Sequence, residues 1–220
     1  MKREIQVTGD GSTSIFIPEL NEGYHSRHGA IQEAYHVFIK NGLDVCTKNE
    51  ISILEIGFGT GLNAFITYIE AKKNNQKINY VGIEAYPVEK EHLLQMNYVQ
   101  QLNTLENETI FNQMHTAHWE TQIALSNHFT LTKRNQFFHD IKDHETFDLI
   151  YFDAFGYTVQ PELWSEEIFK IMYKALKSKG ILVTYACRTS IKNAMLAAGF
   201  TIEKLPCAPG KREMLRATKN

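Results

Sequence analysis

The chain has 220 residues, enough for one domain with a sizeable buried core, and its 43% hydrophobic and 22% charged content is ordinary for a soluble globular protein. Its apolar runs are only strand-sized, which excludes a membrane-crossing helix, and the opening MKREIQVTGDGS holds no signal-peptide core, so a cytoplasmic location with no membrane partner is expected. The net charge of −2 hides an asymmetry: residues 170–220 carry 11 of the 23 Lys+Arg but only Glu203 and Glu213 among the acids, a balance of +9 against −11 for residues 1–169. That skew suits an anionic partner, although solvated helix faces bearing Lys170, Lys174 and Lys177 would give the same count.

Residues 5–17 (IQVTGDGSTSIFI) read as two short strands around an Asp-Gly turn. From Ala30, the residues Ile31, Ala34, Tyr35, Phe38 and Ile39 recur at helical spacing, with Gly42 as a stop. This front piece, residues 1–45, precedes an alternation of strands and helices over residues 46–220. ISILEIG is a strand and LNAFITYIEAKKN a helix; INYVGIEA is a strand, and a helix begins near Val88. Residues 92–126 read as helices with a polar break, HFTLTKRNQ as a strand and FDLIYFDA as another. PELWSEEIFKIMYKALKSKG is a helix with Pro161 near its start and Gly180 at its stop. ILVTYA, the helix SIKNAMLAAG and two final strands complete the chain. Such alternation implies a doubly wound, mostly parallel sheet.

Cys46, Cys187 and Cys207 form no C-x-x-C pair, so neither a disulfide frame nor a thiolate metal site is expected. His115 and His118 form a lone H-x-x-H with no third ligand in register, and read as surface histidines near a helix, so no metal is expected.

LEIGFGTGLNAF joins the first main strand to its helix, and Gly57, Gly59 and Gly61 allow a sharp turn and close approach of a ligand. A dinucleotide fingerprint counted from Gly59 needs a third glycine where Ala64 stands, a tolerated variant, so a nicotinamide cofactor stays open. Glu55 shifts the balance, because a pyrophosphate would not welcome a carboxylate beside it. E-x-G-x-G-x-G resembles the first motif of class I S-adenosylmethionine-dependent methyltransferases, where the strand acid helps hold the cationic amino end of methionine. Glu84 closes the next strand and suits ribose hydroxyls with either cofactor. Asp140 follows the third candidate strand, where that class often meets the adenine amine; a turn or helix cap is the plainer reading. Phe58, Asn63 and Asp153, which ends the fourth strand, complete the candidate cofactor set.

GFGTGLNAF, DAFGYTVQPELW and GFTIEKLPCAPGKREM, with the upstream YHSRHGAIQEAYHVFI, resemble the methyltransferase part of the tRNA 5-methylaminomethyl-2-thiouridine biosynthesis enzymes. In the bifunctional form that part is fused to a flavin-dependent oxidase; with nothing after Asn220 to house one, the chain resembles the stand-alone form. The resemblance implies a class I Rossmann-like methyltransferase domain at 46–220, with an antiparallel C-terminal strand and a 1–45 extension. It implies methyl transfer from S-adenosyl-L-methionine to the primary amine of 5-aminomethyl-(2-thio)uridine at the wobble base of tRNA. A separate flavin-dependent oxidase or upstream wobble-modification enzymes are the further partners it implies.

Phe155 and Tyr157 would stack the splayed base, and Arg188, Lys211 and Arg212 would meet the RNA backbone. Lys211 and Arg212 read equally as an exposed hairpin turn. By resemblance Tyr24, His25 and Ser26 belong to a lid; the plain alternative is a packed loop before a helix. Asp153 is the candidate catalytic group, accepting a proton from the amine and aiming its lone pair, against a purely strand-closing role. The loop departs from the family pattern: Gly156 and Tyr157 replace Ala-Pro, and Val159 stands where a Lys is common, which predicts a looser loop. Two rivals remain open: a methyltransferase acting on another amine, of a small molecule or a protein, and a non-catalytic RNA-binding domain on the same fold.

Overall fold

The computed structural model describes residues 1–220 except Pro209 and Lys211. The chain opens with β1 (Glu4–Val7), β2 (Thr13–Ile17) and β3 (Glu22–Gly23), an antiparallel sheet of its own in that order. Asp10 closes the expected Asp-Gly turn, accepting from the Thr8 hydroxyl (2.8 Å) and the Ser12 N–H (3.1 Å). The same carboxylate accepts from the Gln32 N–H (2.9 Å), which ties the hairpin to α1 (Ala30–Ala34). The helix continues in π-helical form through Lys40.

The main body follows as β4 (Glu50–Ile56), α2 (Leu62–Lys73), β5 (Lys77–Ile83), the short helices α3 (Lys90–Leu93) and α4 (Tyr98–Gln101), α5 (Glu108–Thr116), β6 (Gln122–Ser126) and β7 (Phe129–Arg134). Then come β8 (Phe147–Phe152), α6 (Glu166–Ala175), β9 (Leu176–Thr184), α7 (Thr189–Ala197), β10 (Thr201–Pro206) and β11 (Glu213–Thr218). Eight strands form one sheet in the order β10-β11-β9-β8-β4-β5-β7-β6. Strands β9, β8, β4, β5 and β7 run parallel; β11 is antiparallel to both β9 and β10. The order reverses between β4 and β8, the place where sheets of this kind bind ligands beyond the strands' carboxyl ends.

Period-2 alternation sorts the core onto two faces. Ile51 and Ile53 of β4, with Leu149 and Tyr151 of β8, join the cluster containing Phe65 and Tyr68 of α2. Leu54, Ile56, Ile150 and Phe152 join Phe169 and Met172 of α6 and Ile191 of α7 on the other face. Each such fully buried side chain contributes roughly 1.5–3 kcal/mol. The same alternation sends Glu55 to the α2 side, and Asp153 has the parity of Leu149 and Tyr151.

Three expectations are corrected. Residues 122–126, read as the end of a helical stretch, form the edge strand β6, antiparallel to β7 with a bulge between Ala124 and Ser126. Its five residues are too few to show their alternation clearly. Gly180 does not end a helix: α6 stops at Ala175, Leu176 pairs with Phe147, and residues 176–180 are drawn into β9 through a register shift. His115 is not a surface residue but packs edge-on against Phe111 (4.6 Å between ring centres) and Phe58 (6.4 Å), while His118 is exposed. Among the described residues no helix is long and apolar enough to cross a membrane.

Candidate functional site

A cavity of about 1110 Å³ opens beyond the carboxyl ends of β4, β5 and β8, roofed by the N-terminal extension. Its floor is the glycine loop after β4. Gly57 turns at φ 88, and a Cβ there would lie 2.5 Å from the Asp153 carbonyl oxygen, so no larger residue fits. Gly57 and Phe58 both donate their N–H to the Ile83 carbonyl (3.0 and 2.9 Å), which hangs the loop from the end of β5. Gly61 lies behind the cavity wall, where its N–H donates to Phe58 O (2.8 Å) and its carbonyl accepts from Phe65 at the start of α2.

Glu55 is 0% exposed. Its Oε1 accepts from Asn63 Nδ2 (2.9 Å), and the same nitrogen donates to Asp153 Oδ2 (2.8 Å). Burial, then the nearby Asp153 carboxylate, pushes the Glu55 carboxyl well above its ordinary range. Glu55 Oε2 and Asn63 Oδ1 are buried and have no hydrogen-bond partner among the described residues. Unsatisfied buried polar atoms at a cavity wall are what a polar, cationic ligand end would complete. Glu84 caps the next strand; it accepts from the N–H groups of Gly59 (3.0 Å) and Tyr86 (2.9 Å), which leaves lone pairs for hydroxyls of a ligand.

The roof is Tyr24, which lies over Gly59 and meets Phe155 edge-on at 5.1 Å. Burial pushes the Tyr24 phenol up to about 12. His25 pairs with the Ser14 hydroxyl (2.8 Å), and the Ser26 N–H donates to Glu33 (3.1 Å); both residues line the cavity.

Several predicted residues lie elsewhere. Asp140 does not line the cavity: the turn Phe138–Asp140 points it into a shallow depression with Glu120, Arg134 and Lys142, and Phe137, Phe138 and His139 line the main cavity in its place. Tyr157 is not among the lining residues; it packs on the α6-side cluster, with the exposed Arg188 guanidinium 5.3 Å from its ring centre. Arg212 is exposed and also outside the cavity lining, whereas its neighbour Gly210, at the turn between β10 and β11, does line it, set against the His28 ring. The Lys211 expectation lies outside the described residues.

The loop after Asp153 is pinned rather than loose. Trp164 Nε1 donates to Phe155 O (2.8 Å), the Tyr185 hydroxyl donates to Ala154 O (2.8 Å), and Gly156 O accepts from the Val159 N–H (2.9 Å) and the Gln160 N–H (3.1 Å). Three contributors escaped the sequence reading. Tyr185, just past β9, was open to the same strand-end rule that found the acids. Gly82, inside β5, carried the usual signal of an isolated strand glycine: a Cβ there would fall 2.3 Å from Phe58 Cδ2. Arg3 carried no local signal. It donates to the carbonyls of Tyr86 (2.9 Å) and Pro87 (3.2 Å), pairs with Glu89 and sits 6.0 Å from the Tyr24 ring centre, tying the roof to the loop after β5.

A family model described as S-adenosyl-L-methionine-dependent methyltransferase matches residues 95–220. The chain is 27% identical, over 97% of its length, to the tRNA 5-methylaminomethyl-2-thiouridine biosynthesis bifunctional protein MnmC of Campylobacter fetus. It is 28% identical, over 87%, to the protein of the same name from Leptospira borgpetersenii. It spans 35% and 31% of those two proteins, about a third of their length. Among solved structures it is similar to MnmC2 from Aquifex aeolicus, with TM-score 0.78 and 22% identity over 100% of this chain and 70% of that one. A spermidine synthase bound to a transition-state analogue superposes with TM-score 0.55 at 14% identity, over 95% of this chain and 70% of that one. These structural likenesses show the fold: a class I methyltransferase sheet with its helices. Glu55, the glycine loop and Glu84 fit the cofactor that the family implies. With the family model covering more than half of its residues, the chain belongs to the S-adenosyl-L-methionine-dependent methyltransferases.

Proposed function

We propose that the protein methylates the primary amine of 5-aminomethyl-(2-thio)uridine at the wobble position of tRNA, giving 5-methylaminomethyl-(2-thio)uridine. The observation that carries this reading is the placement of Asp153, on the cavity wall between the buried Glu55–Asn63 pair and the aromatic surface of Tyr24 and Phe155. A carboxylate beside an aromatic slot suits a flat base bearing an amine better than a sugar or a phosphate. The similarity to the bifunctional biosynthesis proteins supports the same choice.

S-adenosyl-L-methionine, when bound, supplies the methyl group as an activated sulfonium. Glu55 and Asn63 hold its amino end and Glu84 its ribose hydroxyls. With Asp140 turned away from the cavity, the exposed ledge of Tyr86, Phe137 and His139 offers the adenine a stacking surface; the Phe137 and His139 rings lie 5.4 Å apart and nearly parallel. A primary alkylamine is mostly protonated near neutral pH, and nitrogen attacks only through its lone pair. Asp153 takes the proton from the ammonium and holds the amine in line, while Tyr24 and Phe155 exclude water. Arg188 and Arg212, both exposed, meet the RNA backbone. A separate oxidase or an upstream wobble-modifying enzyme supplies the amine, and the work is done in the cytoplasm. Incubation of tRNA bearing unmethylated aminomethyluridine with protein and cofactor, followed by mass analysis of the wobble nucleoside, tests the assignment. Methyl gain supports it; methylation of another amine with tRNA untouched replaces it.

A further inference from the structure

The loop after β5, residues 84–89, has no helix or strand of its own, so its backbone polar groups need other partners. Two side chains supply them. Asn135, just past β7, donates to the carbonyls of Glu84 (2.8 Å) and Ala85 (3.2 Å), and Arg3 donates to those of Tyr86 (2.9 Å) and Pro87 (3.2 Å). Asn135 follows a strand of the main sheet, whereas Arg3 reaches across from the N-terminal sheet. Tyr86 is thereby held at both ends, because its N–H donates to Glu84 Oε1 (2.9 Å) while its carbonyl accepts from Arg3. The other Glu84 oxygen accepts from the Gly59 N–H (3.0 Å). One chain of hydrogen bonds therefore runs from Arg3 through Tyr86 and Glu84 to the glycine loop. The Arg3 side chain is 11% exposed and pairs with Glu89. A rigid guanidinium fork suits capture of several acceptors at once, where a lysine would offer a single point charge. Asn97 fixes the far end of the N-terminal sheet, accepting from the Thr13 N–H (2.8 Å) and donating to the Gly11 carbonyl (2.9 Å), so the sheet stays docked without Arg3.

We propose that Arg3 is a positioning residue for the nucleoside half of the cofactor: by holding Tyr86 it fixes the Glu84 carboxylate in the place where it receives the ribose hydroxyls. Arg3 acts through Glu84 and not on the reacting atoms. Its loss loosens the nucleoside end of the site and leaves the Glu55–Asn63 end unchanged. The inference rests on the assignment of Glu84 to the ribose, and the experiment separates the two.

The probe is 5′-methylthioadenosine, which keeps the nucleoside and lacks the amino-acid end, titrated calorimetrically into four proteins: wild type, Arg3→Ala, Glu84→Gln and the double variant. Arg3→Ala is expected to weaken the probe about tenfold in the wild-type background but less than about threefold beside Glu84→Gln, because the two residues form one chain. Equal losses in both backgrounds would show that Arg3 acts independently of Glu84 and would overturn the proposal. Weakening by Glu84→Gln with no effect of Arg3→Ala keeps the ribose assignment and sinks Arg3 alone. Unchanged affinity in Glu84→Gln removes the assignment itself, and the proposal with it. Amide hydrogen exchange of the cofactor-free protein gives a second measurement that needs no ligand. In Arg3→Ala the amides of Gly59 and Tyr86 should exchange faster while those of β8 stay protected. Unchanged exchange at both amides, or lost protection across the whole sheet, would contradict a local positioning role.

Discussion

Gly82→Ala adds one methyl group where the glycine loop rests on β5. The new carbon would lie 2.3 Å from Phe58 Cδ2, 3.0 Å from Cγ and 3.2 Å from Cβ. Contact along a whole side chain cannot be relieved by moving a flexible tip. The ring is 4% exposed, held edge-on by His115 and Trp119 at 6.4 Å each, and its backbone N–H is bonded to Ile83 O at 2.9 Å. Overpacking of this kind costs about 1–3 kcal/mol. Because Phe58 lies inside the loop that lines the cavity, part of the strain must appear as displacement of Gly57 and Gly59. A loss of about 1.4 kcal/mol in binding is a tenfold loss of cofactor affinity. Urea unfolding and calorimetric titration with S-adenosyl-L-methionine measure the two effects. A second substitution, Phe58→Leu, frees space and should recover part of the loss, a non-additivity expected only of residues in contact. A Gly82→Ala protein with unchanged stability and unchanged affinity would refute the claim that Phe58 couples β5 to the cofactor loop.

Asp153→Asn should lower turnover by at least about 100-fold while cofactor affinity changes only a few-fold, read from steady-state kinetics and titration; near-normal turnover would remove its role as proton acceptor. Burial holds the His115 imidazole down at about 3, against about 6.5 in an unfolded chain. The unfolded state therefore binds the extra proton between those values, and stability present above the upper one is withdrawn as the pH falls toward the lower. From pH 7 to about pH 5 the loss should reach about 2 kcal/mol, and His115→Leu should flatten that slope in urea unfolding; an equal slope in the variant would place the acid sensitivity elsewhere. Arg212→Glu should weaken tRNA binding and reduce its salt dependence; if neither moves, Arg212 is only an exposed turn residue.

The sheet and the centre of the site were legible because both follow local rules. A run such as ISILEIG ends on an acid and opens into glycines, and parallel strands deliver their last side chains to one crevice. Glu55, Glu84 and Asp153 all obey that rule. The failures have physical causes as well. Asp140 obeys the strand-end rule in sequence, but a short turn at Phe138–Asp140 rotates it to an outer face and brings aromatic rings to the cavity instead. Tyr157 is an apolar ring with a nearer place to go, against the cluster built around Trp164. The clamp by Arg3 joins residues more than 80 positions apart, between two sheets, and no periodicity records it. The substitution of Gly-Tyr for Ala-Pro predicted looseness, but besides the loop's own bonds to Gly156 O, two of the hydrogen bonds that pin it come from Trp164 and Tyr185, outside it.

The most direct test of the central claim is the fate of the wobble nucleoside itself. Transfer RNA carrying 5-aminomethyl-2-thiouridine, incubated with the protein and methyl-labelled S-adenosyl-L-methionine, is digested and its nucleosides are separated and weighed. The account predicts quantitative conversion to the labelled methylamino nucleoside, abolished by Asp153→Asn. An unchanged nucleoside, in a protein that binds the cofactor and passes its methyl group to a different amine, would contradict it.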